Sequence, residues 1–371
     1  MPIEGLSRNQ ETAWKERTLP QVEQVAEATW AIPVPIPDNP LVYTYCYALG
    51  EDRGVSLIDP GWDGSEQLAA LTAGLQSAGY SLRDVNGVAI THYHRDHIGL
   101  VPALLAANPD MWLGIHGQDL KSLRAFRDRE KSLRTGTAKG VDIAAEYGVP
   151  AERRHEILGP ERAPAGTGSD AAQRPTKDAV DYQIPQLPEG ITLLADGSPL
   201  PLSGRTVCSM WTPGHTYGHT AFREDEGALF YSGDHVLPTI TPNIGLDSGF
   251  ITHSLANYLR SLERMGELPA ETRVLPAHGF RFAGLNERAR EIDEHHRVRL
   301  EEIRARAEDT EDHSVYSLAQ GLHWSRGFEA LHGFNLFAAL AETAAHMHYL
   351  GMPVGSHDPA SEAEARAGVE L

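Results

Sequence analysis

Cysteine is scarce, long apolar runs are missing, and positive charge is in short supply. Two cysteines, Cys46 and Cys208, occur in 371 residues, both inside strand-like runs. That is too few for a disulfide framework or a cysteine-rich metal module, and each is read as a small buried thiol. No run of eighteen apolar residues occurs, so no membrane-spanning helix is expected. The start, Met1-Pro2-Ile3-Glu4-Gly5-Leu6-Ser7-Arg8, lacks a basic stretch followed by an apolar one. A cytoplasmic chain without a secretory leader is therefore expected. The formal net charge of −19 opposes phosphate backbones, so the expected partner is a small molecule, not nucleic acid or membrane.

One window departs from that acidity. Over residues 118–139, Lys121, Arg124, Arg127, Arg129, Lys131, Arg134 and Lys139 oppose only Asp119, Asp128 and Glu130. It reads either as a solvated helical face balanced by acidic neighbours or as a rim that attracts an anionic substrate. Such a substrate would be a coenzyme A or carrier-protein acyl-thioester, with Arg124 and Arg127 as candidate contacts.

What the chain has in concentrated form is metal-ligand chemistry. His92-Tyr93-His94-Arg95-Asp96-His97 places four ligand-type residues in six positions, after the apolar Val85–Ile90 and before Ile98–Leu105. The context predicts a buried strand, a tight turn and the start of a helix. Alternate side chains of an extended segment share a face, so His92 and His94 can address one metal. The turn then offers Asp96 and His97 to a neighbouring position, and imidazole with carboxylate suits zinc.

Three further strand ends deliver similar residues. Thr206–Trp211 leads to Thr212-Pro213-Gly214-His215-Thr216-Tyr217-Gly218-His219-Thr220. Leu229–Ser232 ends in Gly233-Asp234-His235, and Arg273–Ala277 ends in His278-Gly279. On these four elements, in this order across residues 40–285, the chain resembles metallo-β-lactamase-fold hydrolases of the glyoxalase II-like branch. The resemblance implies an α/β chain built as a four-layer αββα sandwich, with the metals at one edge between the sheets. It implies that His92, His94 and His215 hold one metal, that Asp96, His97 and His278 hold a second, and that Asp234 bridges them. Two zinc ions are the implied cofactor, with iron or manganese as alternatives. Asp59, in an Asp-Pro-Gly turn, would support the metal loop. Arg95, where relatives carry small residues, would put a cation at the rim, and Ala277 replaces a common glycine.

The ligand set implies catalysis by Asp96 and Asp234 with a shared activated water, and cleavage of an ester, thioester or lactone. Alternatives are a phosphodiesterase or nuclease on the same metal pair, or a sulfur dioxygenase with one iron on His92, His94 and His215. Tyr217 and His253 are candidate substrate contacts. Of the other histidines, His219 is read as structural, His235 as a supporting residue or packing, and His116 as packing. His295, His296, His346 and His348 are read as structural, because spacings of one or two do not share a helix face.

The organisation reads as a polar leader over 1–28 and a catalytic domain over 29–285, with an insertion at about 117–190. A helical domain over 286–355 and a frayed tail over 356–371 follow. A helix is expected at Ser65–Ser77 from Leu68, Leu71 and Leu75, and others at Asn286–Glu308, Ser314–Leu322 and Phe334–Leu350. Related hydrolases often carry such a winged-helix-like extension. The acidic balance makes it a packing or dimerisation element, compatible with a homodimer. The proline- and glycine-rich stretch 159–190 reads as a loop, either a substrate-covering lid or a surface excursion.

Overall fold

The computed structural model describes residues 3–134, 143–158, 187–188, 190–246 and 253–355, without the side chains of 129–134 and 158. The side chains of Arg129, Lys131 and Arg134, the whole of Lys139, nearly all of the loop 159–190 and the tail 356–371 therefore lie outside what is described.

Strand β1 (Glu4–Gly5) and the helix Arg8–Glu16 open the chain. One sheet then runs in chain order through β2 (Glu23–Ala26), β3 (Thr29–Pro35), β4 (Tyr43–Gly50), β5 (Val55–Ile58), β6 (Val85–Ala89), β7 (Trp112–His116) and β8 (Thr192–Leu194). Neighbours are antiparallel from β2 to β5 and parallel from β5 to β8. The second sheet orders β9 (Cys208–Trp211), β10 (Thr220–Glu224), β11 (Leu229–Gly233), β12 (Arg273–Pro276) and β13 (Phe282–Ala283), with β1 on its edge. There β11 and β12 are parallel and the other pairs antiparallel. Residues 1–28, read from the sequence as a leader, thus supply one strand to each sheet.

The sheets meet through aromatic side chains. Tyr43, Tyr45 and Tyr47 of β4 share one core with Phe222, Leu229, Tyr231 and Leu275 of the second sheet. Tyr47 and Tyr231 lie edge to face at 5.3 Å. The Tyr43 and Tyr47 hydroxyls donate to the carbonyls of Gly279 and Pro276 at 2.8 and 2.7 Å, whereas the buried Tyr45 hydroxyl makes no hydrogen bond among the described residues. Strand β4 is buried throughout, as its continuous apolar and aromatic run requires.

Helices flank the sheets. Ser65–Ser77 buries Leu71 and Leu75. Its Gly74 sits so close to β3 that a Cβ would meet Ile32 Cγ2 at 2.2 Å. This is the two-sheet, helix-flanked architecture the sequence implied. Among the described residues no helix is long and apolar enough to cross a membrane.

The chain divides into two compact units. The first comprises 1–126, 185–242 and 257–292 and contains both sheets. The second comprises 127–184, 243–256 and 293–371. Its core joins Ala144, Tyr147 and Val149 to Ile303, Val315, Leu318, Leu336, Leu340 and Met347. The helical half of the insertion thus folds with the C-terminal helices Val315–Gln320 and Gly333–Tyr349. Arg153 fixes this contact, pairing with Glu156 and donating to the Leu331 carbonyl at 2.8 Å.

Candidate metal centre

Every candidate ligand sits just past the C-terminal end of a strand. His92–His97 follows β6, His215 follows β9, Asp234 follows β11 and His278 follows β12. Backbone bonds hold these loops together across both sheets. Thr220 N–H donates to Thr91 O at 2.8 Å, Ala277 N–H to Gly233 O at 3.0 Å, and Tyr45 N–H to Ala277 O at 2.8 Å. Gly233 turns at φ 52°, and a Cβ there would meet His219 Nε2 at 2.6 Å and Thr91 Cβ at 2.9 Å. A side chain at that position would push Asp234 out of line.

The seven residues converge into two overlapping groups. His92, His94 and His215 offer ligand atoms within 4.8 Å of one another, as do Asp96, His97 and His278. Asp234 spans both. Its Oδ2 lies 3.6 Å from His215 Nε2 and 4.0 Å from His92 Nε2. Its Oδ1 lies 3.2 Å from His278 Nε2 and 3.6 Å from His97 Nε2. Asp96 Oδ2 faces the same two rings at 3.3 and 3.4 Å.

Hydrogen bonds behind the rings decide which nitrogens face inward. Asp59, in a left-handed turn at φ 52°, accepts the Thr91 N–H and hydroxyl at 2.8 and 2.6 Å. The Thr91 oxygen, its proton committed, accepts from His92 Nδ1 at 3.0 Å. Asp59 Oδ2 also accepts from His97 Nδ1 at 2.8 Å, and the Tyr43 carbonyl from His278 Nδ1 at 2.8 Å. These tautomers, assigned from the network, leave Nε2 lone pairs of His92, His97 and His278 pointing into the centre. His97 Nε2, His278 Nε2 and Asp234 Oδ1 are buried and make no hydrogen bond among the described residues. Buried lone pairs beside two carboxylates fit a pair of divalent cations.

Where no cation is bound, the same demand for positive charge would be met by protons on the His97 and His278 rings. Burial alone would raise Asp234, but His278 and His97 outweigh it and hold the carboxyl well below its usual range. Asp96 is lowered against the same opposition by His97 and His278. Reciprocally, burial is overcome at His97 by Asp96, Asp234 and Asp59, and Asp234 and Asp96 push His278 up to about 10. On the other side burial takes His94 down to about 3 and drives His92 well below its usual range. One half of the centre calls for positive charge, and the other offers neutral imidazoles.

Some positions have roles the sequence did not reveal. Asp119, counted from the sequence only as an acid in the basic window, is fully buried. Its carboxylate accepts from Tyr93 N–H at 3.0 Å, the Thr216 hydroxyl at 2.9 Å and Gly218 N–H at 2.6 Å, clasping two ligand loops together. Its place just after β7 was the available signal. Arg95 does not leave a free cation at the rim: it pairs with Asp63 and lies 4.2 Å over the Trp62 ring.

His219 accepts the Asp234 N–H on Nε2 at 3.2 Å and contacts Thr212 Oγ1 at 2.8 Å, a supporting position. His235 is buried beside Tyr258, ring centroids 4.3 Å apart. His116 stacks on Trp211 at 5.1 Å, and Trp211 in turn meets Tyr217 edge-on at 5.7 Å. His253 belongs to the second unit, beside His348 at 5.7 Å. Arg124 is exposed and Arg127 half-buried on the helix Gly117–Arg134.

A family model for the metallo-beta-lactamase superfamily matches residues 39–278, a span that contains every candidate ligand. The chain belongs to the metallo-beta-lactamase superfamily. It is 26% identical over 332 residues to a probable metallo-hydrolase of Bacillus subtilis, YqjP, covering 86% of this chain and 91% of that protein. A metallo-beta-lactamase family protein of Thermus thermophilus, TTHA1429, superposes with a TM-score of 0.69 at 26% identity. That match covers 88% of this chain and 94% of the other. A shorter match, 35% identical over 88 residues, is to a hydroxyacylglutathione hydrolase of Methylococcus capsulatus. It spans 24% of this chain and 32% of that one. The protein is thus a superfamily hydrolase with a candidate His/Asp metal cluster.

Proposed function

We propose that this centre holds two divalent cations, zinc foremost, and hydrolyses an ester, thioester or lactone of a small acyl compound. The observation that carries the reading is Asp234, whose two oxygens face separate ligand groups at 3.2–3.6 Å. In this reading His92, His94 and His215 hold one cation, Asp96, His97 and His278 the other, and Asp234 joins them. When bound, such a pair supplies hydroxide at neutral pH and an electrophile for the carbonyl oxygen.

The chain's own residues prepare that chemistry. Asp59 and Thr91 hold the rings of His92 and His97 in one tautomer, and His219 holds the Asp234 backbone. Neither cysteine is needed as nucleophile. Burial pushes the Cys46 thiol well above its usual range, where a thiolate does not form. The thioester preference draws on the hydroxyacylglutathione hydrolase match. Tyr217, two residues from His215, is assigned to the substrate side, and Arg124 and Arg127 to attraction of an anionic group.

The test is metal analysis followed by a panel of acyl-thioesters, lactones and bis(p-nitrophenyl) phosphate. Two zinc bound at the strand-end centre, lost together with activity on chelation, and acyl hydrolysis as the fastest reaction are the expected result. One iron with oxygen uptake, faster phosphodiester cleavage, or full activity after chelation would overturn it.

A further inference from the structure

A second group of ligand-type residues lies wholly within the helical unit. His295 and His296, on the helix Leu285–Asp309, meet Glu342 on the helix Gly333–Tyr349, and their ligand atoms lie within 4.8 Å of one another. Glu342 Oε1 is buried and makes no hydrogen bond among the described residues. The nearest nitrogens are His295 Nε2 at 3.7 Å and Arg299 Nε at 3.9 Å, both beyond hydrogen-bond length.

A relay fixes the tautomer of the innermost ring. The Glu342 carbonyl accepts the His346 Nδ1 proton at 2.7 Å. His346 Nε2 then has only a lone pair to offer, so His296 Nδ1 donates to it at 3.0 Å. His296 is left with a lone pair on Nε2 and needs to lose no proton to bind a cation. Burial, with His346 adding, takes His296 down to about 3. Glu342, despite its burial, is brought down to about 2 by His295, His346, His296 and Arg299. At neutral pH the group is one neutral inner ring, an ionised carboxylate and a half-exposed second imidazole.

We propose that His295, His296 and Glu342 form a separate zinc site that clamps these two helices. Two imidazoles and a carboxylate are a zinc donor set, and ligand atoms around tetrahedral zinc stand roughly 3.4 Å apart. The 3.7 Å between His295 and Glu342 is close to that spacing. His346 plays the orienting part that a carbonyl or carboxylate plays behind a metal-bound histidine. Arg299 is the competing cation. Its Nη1 donates to Glu302 at 2.7 Å and to the His323 carbonyl at 3.0 Å and its guanidinium lies 4.4 Å over Trp324, while its buried Nε, facing Glu342, makes no hydrogen bond among the described residues. The site does not depend on the hydrolytic reading.

The experiment titrates zinc chloride into metal-free full-length chain carrying His92→Ala, Asp234→Ala and His278→Ala, which leaves no more than two candidate ligands in either strand-end group. Bound zinc is counted by equilibrium dialysis and elemental analysis, and the melting temperature is followed in parallel. One equivalent should bind and raise the melting temperature. His295→Asn should abolish that equivalent, and Glu342→Gln should weaken it at least tenfold. His295 is 38% exposed, so its replacement spares the packing. In the otherwise wild-type chain His295→Asn should lower the metal count by one without changing hydrolysis. No zinc in the triple variant, or binding indifferent to His295→Asn and Glu342→Gln, would overturn the clamp. Loss of hydrolysis in the triple variant bears only on the strand-end reading.

Discussion

Two histidine clusters in one chain use the same residue types to different ends. At the strand ends, six candidate ligands and a spanning aspartate converge from four loops, with the rings of His92, His97 and His278 held from behind by a hydroxyl, carboxylate or carbonyl. In the helical unit, two rings form a relay and one carboxylate oxygen faces a half-exposed histidine at 3.7 Å and an arginine at 3.9 Å. The first set has two carboxylates among its rings, Asp234 buried and Asp96 partly exposed, and room for two cations. The second has one carboxylate, with a guanidinium nearby. Histidine count does not distinguish a reactive centre from a clamp. The number of inward lone pairs and of anions between them does.

The sharpest way to break that contrast is Asp234→Ala. It should lower kcat/KM by roughly three orders of magnitude, about 4 kcal/mol of barrier, and reduce the metal content, with the fold retained by circular dichroism. Near-normal turnover would leave the two clusters equivalent. Next come the residues behind the ligands. Asp59→Asn keeps a side chain that tolerates a left-handed turn but removes the charge facing Thr91 and His97. A roughly 10- to 100-fold loss of metal affinity is expected from competition with a chelator. Asp119→Asn, which loosens the clasp without touching a ligand, should cost about tenfold by the same measurement. An unchanged affinity would make the clasp ornamental.

The difference in legibility has a physical cause. His92–His97 was readable because one loop carries four ligands in contiguous sequence. The strands β5 and β6 were readable as short apolar runs buried on both faces, and the helix Ser65–Ser77 from leucines three and four apart. The helical cluster was not. His295 and His296 are neighbours on one helix and were set aside because adjacent helical residues point apart. What joins them is Glu342 on another helix, and no spacing within a single element encodes that pairing. Asp119 was missed for the same reason: its partners lie at 93, 216 and 218, supplied by tertiary folding. The insertion escaped as well, because its partners in the helical core lie more than 150 residues away, as in the contact from Arg153 to Leu331.

Two smaller effects sharpen the comparison. His116, in neither cluster, is lowered to about 4 chiefly by burial, with Asp196 opposing and Lys121 assisting. Unfolded chain takes up its proton near pH 6.5 while the folded ring resists to about 4. Its contribution to stability is thus present above 6.5 and falls away as pH drops through that interval. The ring resonances should titrate near 4; a midpoint near 6.5 would mean that the stack on Trp211 does not shield it. Smallest of all, Arg124→Ser with Arg127→Ser should raise KM a few-fold for anionic acyl substrates only, an effect that fades with added salt. Equal change for neutral substrates would remove the attraction argument.

Asp59, the 92–97 loop, Asp119, His215, Asp234 and His278 each follow the carboxyl end of a different strand: β5, β6, β7, β9, β11 and β12. The opposite ends of those strands carry none of this apparatus. The scaffold thus divides its labour along the length of each strand, so replacements near a strand's beginning register as melting temperature and those just past its finish as reactivity. For an engineer this separates two dials: a loop can be exchanged to alter what is cleaved while the rest of its strand goes on holding the neighbouring loops in place.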